Sequence, residues 1–127
     1  MKATELRIGN KVYIDYLDVD TGKWHQQIIE ISYRDIYNLI NSNHMLKGAY
    51  EGIPLTEDWL VKLSFCKSNT QDKFYTKDNC VGVSIADNKF IFIQGNFVCQ
   101  LVLRELFYVH QLQNLYYALT ELELTTP

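Results

Sequence analysis

The stretch Tyr108-Val109-His110-Gln111-Leu112-Gln113-Asn114-Leu115-Tyr116-Tyr117-Ala118-Leu119-Thr120 constrains the fold more than any other part of the chain. Large apolar residues recur at 108, 112, 115 and 119, with Val109 and Tyr116 beside them, the three-and-four spacing that lines one helix face. The spacing predicts an amphipathic helix from about Val109 to Thr120 that closes over a sheet. The opposite face carries His110, Gln113, Asn114 and Tyr117, and no Asp, Glu, Lys or Arg occurs between Leu106 and Thr120. A solvated helix face normally mixes charges, so this neutral polar face is expected to be covered by loops or by another chain.

The sheet that such a helix would cover is legible just before it. Val81 to Ala86, Lys89 to Gln94 and Phe97 to Leu103 are apolar-rich runs separated by Asp87-Asn88 and Gly95-Asn96, pairs suited to two-residue hairpin turns. Those connections predict a three-stranded meander with Ile85 opposite Phe90, Val83 opposite Phe92, and Phe92 opposite Cys99. One face is then wholly apolar, through Val81, Val83, Ile85, Phe90, Phe92, Phe97, Cys99, Leu101 and Leu103. The other mixes Ser84, Lys89 and Gln100 with Ile91, Ile93, Val98 and Val102, and is expected to need partial cover.

Upstream, Gly9-Asn10 is a turn signal that opens an alternating strand with Val12, Ile14 and Tyr16 on one face. Asp18 to Gly22 is a polar turn, Trp24 to Tyr33 reads as a longer strand, Arg34-Asp35 turns the chain, and Ile36 to Ile40 reads as a third short strand. Together these predict a small-barrel-like half. Thr56 is suited to N-cap a short helix, with Glu57 and Asp58 in its first turn and Leu55 and Leu60 at the positions of a hydrophobic staple. The expected architecture is therefore α+β: small-barrel-like N-terminal strands, a short helix, and a three-stranded antiparallel meander capped by a C-terminal helix. At 127 residues this is one domain, 1–127, with sub-units at 1–50 and 51–127.

Charge and composition bear on function. A 47% hydrophobic and 21% charged composition belongs to a globular chain, and no apolar run approaches the roughly 18 residues of a membrane span. The first residues lack the apolar core of a signal peptide, so the expected location is the cytoplasm, without membrane contact. Residues 1–50 hold six basic and six acidic groups and residues 51–127 hold six and nine, which disfavours a phosphate-backbone partner. Cys66, Cys80 and Cys99 are odd in number and match neither a disulfide framework nor a paired-cysteine zinc site.

No motif carries recognisable chemistry. The six glycines are scattered and cradle no phosphate, no serine sits in a nucleophile elbow, and no two metal ligands share a helix face at i, i+4. Neither a catalytic, a cofactor nor a metal site is expected. Nine tyrosines and two tryptophans are many for this length, and most are expected in packing.

Three segments, Glu5-Leu6-Arg7-Ile8-Gly9-Asn10, Gly52-Ile53-Pro54-Leu55-Thr56-Glu57-Asp58-Trp59-Leu60 and the 108–120 stretch, together resemble short uncharacterised proteins of Bacteroidetes gut bacteria and their prophages. The resemblance implies a bacterial or phage cytoplasm and brings no activity, cofactor or site residue. In that family the last segment usually continues with Gly, which suits a helix C-cap; here Glu121 stands at that position.

The function expected from the residues is a non-catalytic protein-binding or assembly module of phage or mobile-element origin. Its partner would be a protein, a second copy included, met through His110, Gln113, Asn114 and Tyr117 or through Ile91 and Ile93. The alternatives are a small enzyme with a site gathered from dispersed residues such as His44, His110 and Glu57, and nucleic-acid binding through the barrel-like half.

Overall fold

A computed structural model describes residues 5–41, 47–69, 73–78, 81–85, 89–94, 97–102 and 108–126 of an α+β chain. The chain divides into two compact units. The first takes Met1–Ile53 with Tyr108–Asn114, the second Pro54–Phe107 with Leu115–Pro127.

In the first unit, strands β1 (Lys11–Asp18), β2 (Lys23–Glu30) and β3 (Lys47–Gly52) make an antiparallel sheet in the order β2-β1-β3. The Gly9-Asn10 signal has a definite geometry. Asn10 N–H donates to the Arg7 carbonyl, closing a turn whose third residue is Gly9 at φ 95°. That position demands positive φ in a type II turn, which glycine adopts without steric cost. Gly9 N–H then donates to the Ile31 carbonyl while Ile31 N–H donates to the Asn10 carbonyl, so two residues face one in a glycine-type β-bulge. From that bulge, Lys11 to Asp18 pairs with Glu30 to Lys23 without a break.

Residues 36–40 are not a third strand. They lie in helix α1 (Tyr33–Asn41), and the third strand is β3. The overlooked signal is Ser32-Tyr33-Arg34-Asp35, a capping box. Ser32 donates to the Asp35 carboxylate through both its N–H, at 2.9 Å, and its hydroxyl, at 2.8 Å. The Tyr50 hydroxyl donates to the other oxygen of this buried carboxylate at 2.8 Å. Burial, then the bond to Asp35 and its charge, raise the Tyr50 phenol above its ordinary range. Helical spacing turns Ile36 and Leu39 inward against a core of Leu6, Val12, Ile14, Ile31 and Tyr50.

In the second unit, Thr56 caps helix α2 (Glu57–Lys62), accepting from Trp59 N–H at 3.4 Å. The helix ends in a complete Schellman motif: Phe65 N–H reaches the Leu60 carbonyl, Ser64 N–H reaches the Val61 carbonyl, and Ser64 adopts φ 68°. Buried Leu60 and Phe65 supply the apolar pair that accompanies this motif. A five-stranded antiparallel sheet follows, in the chain order β4 (Cys66–Lys67), β5 (Phe74–Lys77), β6 (Val81–Ser84), β7 (Lys89–Gln94) and β8 (Phe97–Val102).

The β7–β8 register is the expected one, with Phe92 opposite Cys99 and Gln94 opposite Phe97. The β6–β7 register is displaced by two residues: Val83 faces Phe90 and Val81 faces Phe92, leaving four residues in the connection. Ile85 N–H is engaged on the other side, by the Lys73 carbonyl at 3.2 Å beside β5. Because side chains alternate with period two, a slip of two preserves each face. Val81, Val83 and Phe90 are accordingly all buried.

Helix α3 runs from Val109 to Thr120, as its spacing predicts, and its two halves fall in different units. Its buried stripe is Val109, Leu112, Gln113 and Tyr116, rotated from the expected 108, 112, 115 and 119; Tyr108 is exposed and Leu115 and Leu119 are half-buried. In the second unit the Tyr116 hydroxyl donates to Asp78 at 3.2 Å. The helix stops despite lacking glycine. Glu121 takes φ 61° and donates its N–H to the Tyr117 carbonyl at 2.8 Å, a left-handed C-cap made with a side chain present.

Left-handed backbone costs an L-residue with a Cβ roughly 1 kcal/mol. Ser64→Gly and Glu121→Gly should therefore each raise the melting temperature, by about 3–5 °C per kcal/mol gained in a domain of this size. Thermal unfolding followed by circular dichroism checks this, and a lowered melting temperature in both variants would contradict the two cap geometries.

Candidate functional site

The neutral polar residues of α3 are engaged within the first unit. The Gln113 carboxamide is buried and bidentate: its oxygen accepts from Lys11 N–H at 2.9 Å, and its nitrogen donates to the Gly9 carbonyl at 3.3 Å. Lys11 N–H and Gly9 C=O point to the side of β1 occupied further on by β3, whose pairing begins only at Val12 opposite Gly52. Gln113 thus does for the first residues of β1 what a neighbouring strand does for the rest.

Asn114 and Asn10 complete the set. The Asn114 oxygen accepts from Asn10 Nδ2 at 2.9 Å and from Arg7 Nη1 at 3.2 Å, and its nitrogen donates to the Glu5 carbonyl at 3.0 Å. Buried Asn10 accepts from Arg7 N–H at 2.7 Å through its own oxygen. These bonds join the Glu5–Asn10 segment to the first turns of α3, positions about a hundred residues apart in sequence.

His110 is 2% exposed, and its ring stacks on Tyr108 with centroids 5.7 Å apart. Its Nδ1 has no hydrogen-bond partner among the described residues. Burial lowers the imidazole pKa from its ordinary value, opposed in part by the charge of Glu5, so the ring is held toward its neutral form.

These findings correct the expected interaction surface at His110, Gln113 and Asn114. His110 and Gln113 are buried, and Asn114 is committed to Arg7, Asn10 and Glu5, so the neutral face of α3 serves intramolecular cover. Tyr117, in the second unit, is exposed and Ile91 half-buried, while the Ile93 side chain lies outside the described residues. His44 also lies outside them. Glu57 is in the first turn of α2 in the second unit, whereas His110 belongs to the first. Among the described residues, no group of three or more His, Cys, Asp or Glu side chains is placed to hold a metal ion.

An accessible apolar surface lies elsewhere in the first unit, on the β1–β2 ribbon. Residues opposite each other in an antiparallel pair share a face, so Val12, Ile14 and Ile29 turn to the core. The outer face then carries Lys11, Tyr13, Asp15 and Leu17 of β1 against Glu30, Ile28, Gln26 and Trp24 of β2. Leu17, Trp24 and Ile28 are exposed by 39%, 59% and 44%. Lys11 and Glu30 close one end in a 2.9 Å ion pair. Gln26 reaches Glu51 of β3 at 3.5 Å. Apart from Lys11, the described charged residues on this face, Asp15, Glu30 and Glu51, are acidic.

The rim of the sheet is open as well. β2 is an edge strand of eight residues, all exposed except half-buried Ile29. Ile31 N–H bonds across to Asn10, so the alternation of an antiparallel ladder turns the backbone groups of Trp24, Gln26, Ile28 and Glu30 toward the outer edge. Sequence reading missed this surface because most tryptophans and tyrosines were expected in packing, whereas Trp24 is exposed. Two large apolar residues four apart on the polar side of a strand were the available signal.

Comparison of the chain with family models, curated proteins and solved structures finds no match.

Gln113→Leu preserves size and burial but leaves Lys11 N–H and Gly9 C=O without their partner. Each unsatisfied buried group costs about 1–3 kcal/mol, so the variant should lose about 2–4 kcal/mol in urea unfolding. A loss below about 0.5 kcal/mol, the scale of surface substitutions, would show that the carboxamide is not the partner these groups depend on.

Proposed function

We propose that this chain is a non-catalytic protein-binding or assembly module that receives its partner on the outer face and free edge of the β1–β2 ribbon. The observation that carries this reading is the pairing of exposed Trp24 with exposed Leu17, beside exposed Ile28, along an edge strand whose outer backbone groups have no described strand partner. Tryptophan is among the residues enriched at interface hot spots, and unpaired strand backbone recognises an extended chain. The resemblance of the 5–10, 52–60 and 108–120 segments to prophage-encoded proteins supports a role inside a bacterial cell, among phage or mobile-element proteins.

A random-peptide library panned against the folded chain tests the reading. Enriched peptides should bind Trp24→Ser and Ile28→Ser at least about tenfold more weakly, which corresponds to about 1.4 kcal/mol. Both positions are exposed, so both variants should retain the parent's circular dichroism. Peptides that bind the variants as well as the parent, or no enrichment at all, would remove the β1–β2 surface as the recognition site.

A further inference from the structure

The partner that this edge fits best is another β2. Building on the reading of the β1–β2 ribbon as a recognition surface, we infer that two copies of the chain pair antiparallel through β2, about a two-fold axis passing between the two Gln26 residues.

Natural edge strands are normally blunted by proline, a central lysine, a bulge or short length. β2 has none of these: it is eight residues long, its register with β1 is unbroken, and its charges, Lys23 and Glu30, stand at its two ends. What remains between them, Trp24-His25-Gln26-Gln27-Ile28-Ile29, contains no Asp, Glu, Lys or Arg.

Self-pairing is restricted by the backbone. The outward groups of 24, 26, 28 and 30 must meet outward groups, so a symmetric pair centres on one residue of β2. Centring on Gln27 sets Trp24 opposite Glu30 of the other copy, and centring on His25 sets Trp24 opposite Gln26. Centring on Gln26 instead sets Trp24 opposite the other copy's Ile28, twice by symmetry, with Gln26 against Gln26 and His25 against Gln27. Lys23 then meets Ile29 and Glu30 meets Gly22, so no like charges stand opposite one another. Aromatic residues across from β-branched ones are favourable cross-strand pairs.

The register also organises the outer face. Leu17 pairs with Trp24 and Tyr13 with Ile28 within each copy. The joined sheet therefore carries two continuous rows, each of Leu17 and Trp24 from one copy followed by Ile28 and Tyr13 from the other. Between these rows lie Asp15, Gln26, Gln26 and Asp15, with the two carboxylates three strand spacings apart, roughly 14 Å. A foreign strand could occupy the same edge, but nothing on the chain specifies its side chains, whereas the chain's own β2 supplies the complement of Trp24.

The test uses the full chain. Light scattering across a concentration series should show the mass of the parent doubling, while Gln26→Lys, which sets two ammonium groups against each other at the axis, should stay at monomer mass with unchanged circular dichroism. In a Cys66→Ser background, Gln26→Cys should oxidise to a covalent dimer, because facing residues of a bonded pair lie about 5.5 Å apart, within disulfide range. Glu30→Cys should not, since the register holds its two copies roughly 27 Å apart. A parent that stays monomeric at high micromolar concentration would overturn the self-pairing while leaving the peptide-binding reading to its own experiment. A dimer that survives Gln26→Lys, or that links through position 30 and not 26, would likewise overturn this register.

Discussion

A strand that begins before its neighbour does leaves amide and carbonyl groups facing a gap, and a buried gap of this kind must be filled by something that can both accept and donate. At the start of β1 that gap exposes Lys11 N–H and Gly9 C=O, and the Gln113 carboxamide meets both. A carboxamide carries a separate acceptor oxygen and donor nitrogen on one planar group, and asparagine, the other residue with that group, is one methylene shorter. Much of the first unit follows from this contact. It explains why a glutamine stands in the buried stripe of α3, why Gly9 must turn at positive φ to present its carbonyl, and why Asn10 and Asn114 lie alongside as a second amide pair. The sheet entrance and the helix are held by hydrogen bonds whose direction excludes most alternative placements.

The periodicity of α3 was legible from sequence to the residue, yet its orientation was not. Apolar spacing alone favours Tyr108, Leu112, Leu115 and Leu119, because a helical wheel weighs size and hydrophobicity but cannot see that Gly9 and Lys11 need a carboxamide. The same blindness affected α1: Ile36 to Ile40 suits a strand by composition, and only the Ser32–Asp35 capping pair separates the two readings. The β6–β7 slip has another origin, since Asp87-Asn88 is a valid tight-turn pair and the competing bond, from Ile85 N–H to the Lys73 carbonyl just before β5, is a tertiary contact that turn chemistry does not encode. Local signals with a complete chemical mechanism, such as the Thr56 cap, were read correctly.

The same contact redirects the functional reading. Amides and an imidazole on a helix without charges look like a binding face, but here Gln113, Asn114 and Asn10 satisfy each other and the backbone, and His110 is buried beside Tyr108. Among what the fold leaves accessible is the opposite case: large apolar residues, Leu17, Trp24 and Ile28, on a sheet face with an open edge. A chain of this size can cover only part of its apolar surface, so exposed leucine or isoleucine alone is unremarkable. Their concentration in register on one ribbon, rather than scattered placement, makes the β1–β2 surface the candidate site.

Amide hydrogen exchange at Lys11, followed by nuclear magnetic resonance, addresses the central contact most directly. Lys11 N–H faces away from β2 and lies beyond the described end of β3, so its only described acceptor is the Gln113 side chain. If that carboxamide holds the strand as a neighbouring strand would, the Lys11 amide exchanges as slowly as the ladder amide of Val12 beside it. Exchange of Lys11 at the rate of an exposed loop amide, while Val12 remains protected, would contradict the account.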